Sequence, residues 1–501
     1  MRAILSEATP AARDRTRRIW CVHSAAEALN VLRDLSETPT VSTLALAFQA
    51  ANHELALVGG PVRDAFLGRG INDLDFTTSA RPDQILALVE PVAEAVWDIG
   101  RDFGTIGAQI QGERVEITTY RSDAYDGESR KPIVQFGESL VDDLRRRDFT
   151  VNAMAVLLPQ LSLIDPFGGI DHLVAGRLVT PAPAEESFGD DPLRMMRAAR
   201  FVAQLGFTLD EHAEWAMTEL APAIERISAE RVSDELVKLL STDSPLEGVR
   251  LLVSTGIADR VLPEVSALRL EVDEHHHHKD VYEHSLTVLA QAIELERERH
   301  PDAEPDVPLR LAALLHDIGK PETRRLEPGG TVTFHHHDMV GAKLAIKRLK
   351  ALRFDKETTA HVARLIELHL RFFGYSEGVW SDSAVRRYVR DAGDQLERLH
   401  ILTRADVTTR NTRKADRLAH AYDDLERRIA ELAEREEIEA VRPDLDGEQI
   451  MAILNIPAGR LVGQAYSFLL NLRLDEGPLG EEEATRRLRA WHDSLAGNES
   501  G

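Results

Sequence analysis

The spacing of hydrophobic positions changes near residue 180. Before it, short runs rich in Leu, Val, Ile and Thr alternate with glycine-containing turns, which is typical of strands. The predicted strands are Leu55–Val58, Leu74–Thr77, Arg114–Tyr120 and Leu161–Ile164, with one predicted helix near Pro82–Val92. After it, apolar residues recur every three or four positions, and examples of the predicted helices are Pro192–Leu205, Ala229–Leu240, Leu309–His316 and Leu418–Arg435. The pattern predicts an α+β fold with a small mixed head and a long all-α body.

Proline, glycine and charged residues interrupt the pattern near residues 180–185, 271–279 and 437–448. A chain of 501 residues is long enough for about three domains. We therefore predict a head over residues 1–180, beginning with an extension of about 35 residues, and a helical neck over residues 181–270. A third domain follows over residues 271–436, and a helical tail over residues 437–501.

The composition, 43% hydrophobic and 29% charged, is that of an ordinary globular protein. The segment Met1–Trp20 is rich in charge and has no apolar core, and no later run is long enough to span a bilayer. The single cysteine, Cys21, excludes an intramolecular disulfide framework and a cysteine-ligated zinc site. We expect a cytoplasmic protein with no membrane partner; its oligomeric state stays open.

The net charge of −24 argues against a nucleic-acid partner, but phosphate binding depends on local rather than total charge. Arginine is concentrated in three places, which are Arg145–Arg147, Arg194–Arg200 and Arg410–Arg417. The net charge alone therefore does not exclude an RNA substrate.

A glycine turn precedes two closely spaced aspartates. Gly60 lets the backbone approach a ligand at a helix N-terminus, and Arg63 can grip phosphate oxygens with its planar fork. Asp73 and Asp75 are two apart on a predicted strand and so present their carboxylates side by side, and Glu116 on a later strand is a plausible third. Such oxygen ligands suit Mg²⁺, which can stabilise both oxygens of an in-line phosphoryl transfer. The alternative is a solvated turn with surface acids.

The sequences LVGGPVRDAFLGR and NDLDFTTSA resemble the first motif of the class II tRNA nucleotidyltransferase and bacterial poly(A) polymerase superfamily. The resemblance continues through residues 143–153, 189–201 and 230–236, in the family's order. It implies a polymerase-β-like nucleotidyltransferase head with Mg²⁺ on Asp73 and Asp75, and contact between Arg147 and the nucleotide. It also implies CTP and ATP as donors and tRNA as the acceptor.

The segment from Asp191 to Arg200 can explain how bases are chosen without a template. On a helix, Asp191 and Arg194 are neighbours on one face, and Arg197 and Arg200 extend a basic ridge that supports the site. A carboxylate accepts a hydrogen bond from the amino group of cytosine or adenine, and an adjacent arginine donates to the neighbouring ring nitrogen. Uracil and guanine carry a carbonyl there and would leave acceptors unpaired. The family usually has Glu where this chain has Asp190, whose side chain is one methylene shorter. The segment Asp123–Gly137 is predicted to be a mobile loop that moves when selection changes from C to A.

The helical body contains the ordered set His284, His316-Asp317, His337, His369 and Asp406. The doublet His316-Asp317 within an apolar helix indicates compensation by a metal or a partner, because isolated buried charge is costly. The order resembles the HD phosphohydrolase superfamily and implies a site for a transition metal (Mn, Ni, Co, Fe or Zn) or Mg. Among His335–His337 the family spacing favours His337. The run His275–His278 is expected to be a solvated loop.

We expect template-independent addition of CCA to tRNA 3′ ends from CTP and ATP, with release of pyrophosphate. The helical tail is expected to hold the tRNA. The alternatives are a poly(A) polymerase, an enzyme that adds only A, and an HD phosphohydrolase whose head binds RNA.

Overall fold

The computed structural model describes residues 23–71, 73–98, 100, 104–124, 133–137, 139–270, 280–328, 332–372, 375, 380–408, 411–436 and 442–498. The chain divides into two compact units, Met1–Val261 and Leu262–Gly501. The predicted head and neck lie mainly in the first unit, and the predicted HD domain and tail in the second. The finer boundaries stay predictions.

A seven-stranded sheet forms the head, with the order β3-β4-β5-β2-β1-β8-β9. Its strands are β1 Leu55–Val58, β2 Leu74–Thr78, β3 Ala95–Trp97, β4 Thr105–Ile110, β5 Glu113–Thr119, β8 Ala155–Leu158 and β9 Ser162–Ile164. Strand β1 is buried at every position because it lies between β2 and β8 and is covered on both faces, which explains its continuous apolar run. Strands β2 and β5 are parallel, with Asp75 paired to Glu116. This parallel pair brings together two carboxylates that are distant in sequence.

Helices of the head are α1 Ala25–Ser36, α2 Pro39–Ala50, α3 Gly60–Phe66, α4 Pro82–Val89 and α5 Leu140–Arg145. Helix α1 begins with a capping box, in which Ser24 and Glu27 satisfy each other's backbone N–H groups. Helix α3 begins directly after β1, with only Gly59 between them. The predicted strand-to-helix turn is therefore present.

The segment Asp123–Gly137, predicted to be a loop, contains strand structure at both ends. Strands β6 Arg121–Ala124 and β7 Ile133–Phe136 pair in an antiparallel ribbon. The residues between them lie outside the described part of the chain. The loop prediction was wrong for the paired ends because pairing between segments nine residues apart overrides their weak local strand signal.

The remainder of the first unit is mostly helical. Its elements are α6 Gly169–Val174, β10 Arg177–Leu178, α7 Ala184–Asp190, α8 Leu193–Leu205, β11 Thr208–Leu209, α9 Glu211–Leu220, α10 Ala229–Leu240, α11 Leu246–Ser254 and α12 Ala258–Val261. Gly248 on α11 lies against α8 so closely that a Cβ atom there would be 2.4 Å from the carbonyl oxygen of Ala199. Helices α8 and α11 are therefore in close backbone contact at this point.

The described residues of the second unit are helical apart from one short hairpin, β12 Arg325–Leu326 with β13 Val332–Thr333. Its helices are α13 Pro263–Ala267, α14 Val281–Arg299, α15 Val307–Leu315, α16 Lys320–Thr323, α17 His337–Ala351, α18 Lys356–Leu368, α19 Asp382–Ala392, α20 Leu396–Ala405, α21 Thr412–Glu436, α22 Gly447–Leu454, α23 Arg460–Glu476 and α24 Glu481–Asn498. Helices α22 to α24 share a small apolar core formed by Leu445, Ile450, Ala465, Leu469, Ala484 and Leu488. Within the described ranges, no helix combines the length and apolarity that a membrane span requires.

Candidate active site and metal centre

The glycine turn lies directly against Arg147. Gly59 has φ +75°, a conformation that L side chains rarely adopt. A Cβ atom at Gly59 would be 3.0 Å from Nη1 of Arg147. Gly60 begins α3 and has no such restriction. The structure therefore brings together the glycine turn and the arginine that the resemblance assigns to the nucleotide.

Three carboxylates gather at β2 and β5, where Asp75 and Glu116 are paired across the strands. Asp73 is exposed and precedes β2 rather than lying within it. Burial raises the pKa of Asp75, and the charges of Glu116 and Asp73 raise it further, against the opposing charge of Arg147. Carboxylates crowded in this way favour a bound cation.

Asp143 links this strand pair to Arg147. Its buried carboxylate accepts hydrogen bonds from Thr77 Oγ1 (3.1 Å) and from the backbone N–H of Arg121 (3.2 Å). It also lies 3.6 Å from Nη2 of Arg147. The buried Nε of Arg147 has no hydrogen-bond partner within the described chain. Asp143 was not predicted as a site residue, because its hydrogen-bond partners Thr77 and Arg121 are far from it in sequence, although Arg147 follows it by only four residues.

Arg63 points into the protein rather than toward solvent. Its Nε and Nη2 donate to the carboxylate of Asp64, each at 2.9 Å, and its Nη1 donates to Oδ1 of Asn152 at 2.7 Å. All three nitrogens are therefore engaged with protein groups. In this arrangement Arg63 fixes the first turn of α3 to the segment around Asn152.

Asp148 is the centre of a buried polar network. It accepts hydrogen bonds from the backbone N–H of Phe149 (2.8 Å), from Nδ2 of Asn152 (2.9 Å) and from Nε of Arg197 (2.8 Å). Burial alone would raise the pKa of Asp148, but Arg197 and these hydrogen bonds hold it well below its usual range. Arg200 donates from Nε to Glu235 at 2.7 Å. The predicted basic ridge is thus paired with acids from other segments rather than free.

Asp191 does not lie on the helix that carries Arg194. It ends α7 with φ −135° and ψ 95°, and α8 begins only at Leu193. Pro192 between them lacks an N–H and restricts the preceding residue to extended geometry, so one continuous helix does not form. The prediction of a shared helical face was wrong for this pair.

Each predicted base-reading side chain is held by other groups. Oδ1 of Asp191 accepts from the backbone N–H of Leu193 at 3.2 Å, and Oδ2 accepts from Nη2 of Arg231 at 3.1 Å. Arg194 donates from Nη1 to Oγ of Ser187 at 2.8 Å and from Nη2 to the carbonyl oxygen of Arg146. Arg194 also borders a cavity of about 190 Å³, whose other lining residues are Asp142, Arg145, Arg146, Ala182, Glu186, Ser187 and Asp190.

In the second unit, all six predicted HD residues converge. His316 and Asp317 follow the end of α15 rather than lying inside it, and both are buried. His284 Nε2 lies 2.9 Å from Oδ1 of Asp406 and 3.3 Å from Nε2 of His316. Nε2 of His337 lies 3.3 Å from Oδ1 of Asp317. The predicted cluster is present, assembled from several helices and the turns after them.

The ring orientations suit metal ligation. The Nδ1 atoms of His316, His337 and His369 each contact the carbonyl oxygen three residues earlier, at 2.9, 2.8 and 2.6 Å. This fixes the tautomer and leaves Nε2 as the ligand atom. Nε2 of His369 is buried and has no hydrogen-bond partner among the described residues. A buried ring nitrogen that lacks a hydrogen-bond partner and lies near carboxylates is expected at a metal centre, where the ion would be its partner.

The charges of the cluster are strongly coupled. Burial opposes protonation of His316, but the carboxylates of Asp317 and Asp406 raise its pKa to about 9. Burial lowers the pKa of His369 to about 4. Burial would raise the pKa of Asp317, but the charges of His316 and Lys320 hold it well below its usual value. Nζ of Lys320 lies 2.8 Å from Oδ2 of Asp317. Lys320 was missed by sequence reasoning, although it follows the His-Asp doublet by only three residues.

Three family matches cover much of the chain. Residues 55–179 match the Poly A polymerase head domain, and residues 206–268 match the probable RNA and SrmB-binding site of polymerase A. Residues 281–411 match the HD domain. The matches follow the same order as the sequence motifs.

Similar proteins share these features at different coverage. The A-adding tRNA nucleotidyltransferase of Deinococcus radiodurans is 34% identical over 88% of this chain and 96% of its own length. The CCA-adding enzyme of Geobacillus kaustophilus is 40% identical over 44% of this chain and 54% of its own length, so the chain matches about half of that relative.

Among solved structures, the Bacillus stearothermophilus CCA-adding enzyme in complex with CTP has a TM-score of 0.64 at 24% identity, covering 92% of this chain and 100% of that one. The Thermotoga maritima CCA-adding enzyme complexed with tRNA has a TM-score of 0.60 at 19% identity, covering 92% and 98%. These two likenesses establish the fold. Together with the relative from Deinococcus, aligned over nearly its whole length, they show that the chain belongs to the tRNA nucleotidyltransferase/poly(A) polymerase family and carries an HD domain.

Proposed function

We propose that this protein adds C, C and A in turn to the 3′ end of tRNA without a template, using CTP and ATP and releasing pyrophosphate. The observation that carries the proposal is the pairing of Asp75 with Glu116 across parallel strands, beside Asp73 and facing Arg147. Relatives of this chain are named for tRNA nucleotide addition.

Asp73 and Asp75 would hold Mg²⁺, with Glu116 as the third carboxylate. Their hard oxygen donors and the raised pKa of Asp75 fit a cation at this position. Bound there, the ion would neutralise the triphosphate and stabilise the attacking and leaving oxygens. The 3′-hydroxyl of the RNA attacks the α-phosphate, so one P–O bond forms as the bond to pyrophosphate breaks.

The protein's own groups bind and orient the nucleotide. Arg147, whose buried Nε has no hydrogen-bond partner among the described residues, binds phosphate or sugar, and the N–H groups at the start of α3 around Gly60 add to it. Arg63 acts by fixing that turn through Asn152. Asp191 and Arg194 read the base edge, while Arg197 and Arg200 hold α8 in place through Asp148 and Glu235.

The test is extension of a tRNA transcript that lacks its last three nucleotides, with each labelled nucleoside triphosphate alone and then with CTP plus ATP. Two C additions followed by one A are expected. Asp75→Asn should abolish them, whereas Asp34→Asn, an exposed aspartate on α1, should not. Addition of A alone would assign the specificity named for the Deinococcus relative, and long A tails would assign poly(A) polymerase.

A second activity is favoured by the buried cluster in the second unit. His284, His316, Asp317, His337, His369 and Asp406 offer four nitrogen and two carboxylate ligands for Mn, Ni, Co, Fe, Zn or Mg. A metal held there would activate water against a phosphate ester. We infer a metal-dependent phosphohydrolase alongside the transferase.

Hydrolysis of p-nitrophenyl phosphate with each metal in turn tests this second activity. Asp317→Asn should abolish hydrolysis and leave nucleotide addition intact, and Asp75→Asn should do the reverse. Hydrolysis that survives Asp317→Asn with every metal would reject the assignment.

A further inference from the structure

The carboxylate of Asp191 is oriented by a residue from a distant segment. Arg231 lies in the first turn of α10, forty positions later in the chain, and donates from Nη2 to Oδ2 of Asp191 at 3.1 Å. Oδ1 accepts from the backbone N–H of Leu193 at 3.2 Å. The two contacts use different oxygens, so together they fix the plane of the carboxylate.

The same face of α10 supports α8. Arg231 and Glu235 are four residues apart and therefore neighbours on that face. Glu235 is buried and accepts from Nε of Arg200 at 2.7 Å, with Nη1 of Arg197 at 3.7 Å. Helix α10 thus presents a cation to Asp191 and an anion to the arginines of α8. This complementary pattern aligns the junction that carries Asp191 with the helix that carries Arg194.

The contacts of Asp191 leave capacity for a base. An ionised carboxylate offers about four lone-pair sites, and one on each oxygen is used by Leu193 and Arg231. One site on each oxygen therefore remains for the amino group of cytosine or adenine. Arg231 fixes the direction of these remaining lone-pair sites. The carbonyl of uracil or guanine would therefore face a carboxylate oxygen that is held in place and offers it no hydrogen-bond donor.

The Arg231–Asp191 ion pair is exposed enough that its effect on base selection can be measured apart from any effect on stability. The Arg231 side chain is 53% exposed and that of Asp191 is 32% exposed. Ion pairs at such positions contribute little to stability, since water screens them and their side chains lose entropy. The effect of removing Arg231 should therefore fall on base selection rather than on the folded state.

We propose that Arg231 is a positioning residue for base selection, which orients Asp191 so that it accepts C and A and rejects U and G. This rests on the proposed function, because it requires Asp191 to read the base. Arg231 touches no reacting atom; it acts through the carboxylate that it holds.

The experiment compares the wild-type protein with Arg231→Gln, Arg231→Lys and a matched control, Arg260→Gln. Arg260 is 43% exposed and forms an ion pair with Glu225 at 2.7 Å. This pair does not involve Asp191, so Arg260 serves as a control for the loss of an exposed arginine. The kcat/KM of CTP and UTP is measured on the truncated tRNA, and of ATP and GTP on tRNA ending in CC. Thermal unfolding of each variant is followed in parallel.

Arg231→Gln should lower the CTP/UTP and ATP/GTP ratios about tenfold, the factor expected for one charge-assisted hydrogen bond. Arg231→Lys should restore part of the loss, because it keeps the charge without the planar fork. Arg260→Gln should change neither ratio, and every variant should keep the wild-type unfolding temperature.

Unchanged ratios in Arg231→Gln, with a selective wild-type protein, would overturn the inference about Arg231. A fall of equal size in Arg260→Gln, or a fall that appears only with a lowered unfolding temperature, would also overturn it. A wild-type protein that incorporates no nucleotide would instead reject the proposed function itself.

Discussion

Removing the charge of Asp148 should lower the free energy of unfolding of the first unit by a measurable amount. Asp148 is 7% exposed and receives hydrogen bonds from Phe149, Asn152 and Arg197. In Asp148→Asn, the guanidinium of Arg197 loses its anion at 2.6 Å and keeps the more distant Glu235 at 3.7 Å. Breaking a fully buried pair costs roughly 3–5 kcal/mol. Because the Arg197 side chain is 34% exposed, we expect about 2–3 kcal/mol.

Urea unfolding followed by tryptophan fluorescence measures this loss, since Trp97 and Trp215 report on the first unit. With a slope of about 3 kcal/mol per M, the midpoint should fall by roughly 0.8 M. The control is Glu225→Gln, which removes the acid of an exposed pair with Arg260 and should cost less than about 0.5 kcal/mol.

A double-mutant cycle with Arg197→Gln sharpens the test. In the Arg197→Gln background, Asp148→Asn no longer leaves a cation without its anion. The coupling energy between the two positions should therefore be about 2 kcal/mol. Additive effects, or a midpoint shift no larger than that of Glu225→Gln, would refute the assignment of Asp148 as the centre of the network.

The pH dependence has a definite sign. The folded pKa of Asp148 is depressed, so its stabilising contribution is complete above the unfolded value of about 4 and is lost as pH falls below it. The wild-type midpoint should therefore fall steeply below about pH 4, and that of Asp148→Asn less steeply. Parallel pH profiles would contradict the depressed pKa.

Three further predictions concern the two sites. Gly59→Ala, which places a Cβ atom 3.0 Å from Arg147 at a positive φ, should lower nucleotide addition about tenfold in steady-state kinetics, and Gly60→Ala should do less. His369→Ala should reduce metal retained after dialysis, measured by mass spectrometry, without affecting nucleotide addition; His361→Ala on α18 is the control. Chelation should abolish nucleotide addition and added Mg²⁺ should restore it, so addition that persists after chelation would reject a metal at the carboxylates.

Many secondary-structure elements could be predicted because their signal is local. Strand β1 matches the predicted run at both ends, and α10 matches the predicted helix Ala229–Leu240. Both follow from apolar spacing over fewer than fifteen residues, which is the range in which periodicity is informative. Strands β3 and β4 were missed, because their stability comes from pairing rather than from composition.

The sequence by itself determined which chemical groups are available: the carboxylates after the glycine turn, the Asp191 and Arg194 pair, and the ordered histidines. The tertiary structure alone decided how they are used. It turned Arg63 inward toward Asn152, placed Arg231 beside Asp191, and gave Arg197 an anion 49 residues away. Hydrogen-bond partners this distant leave no periodic trace in the chain, because their proximity depends on how helices and strands pack. The sequence therefore determines which functional groups are present, and the packing of helices and strands determines which of them form ion pairs and hydrogen bonds with one another.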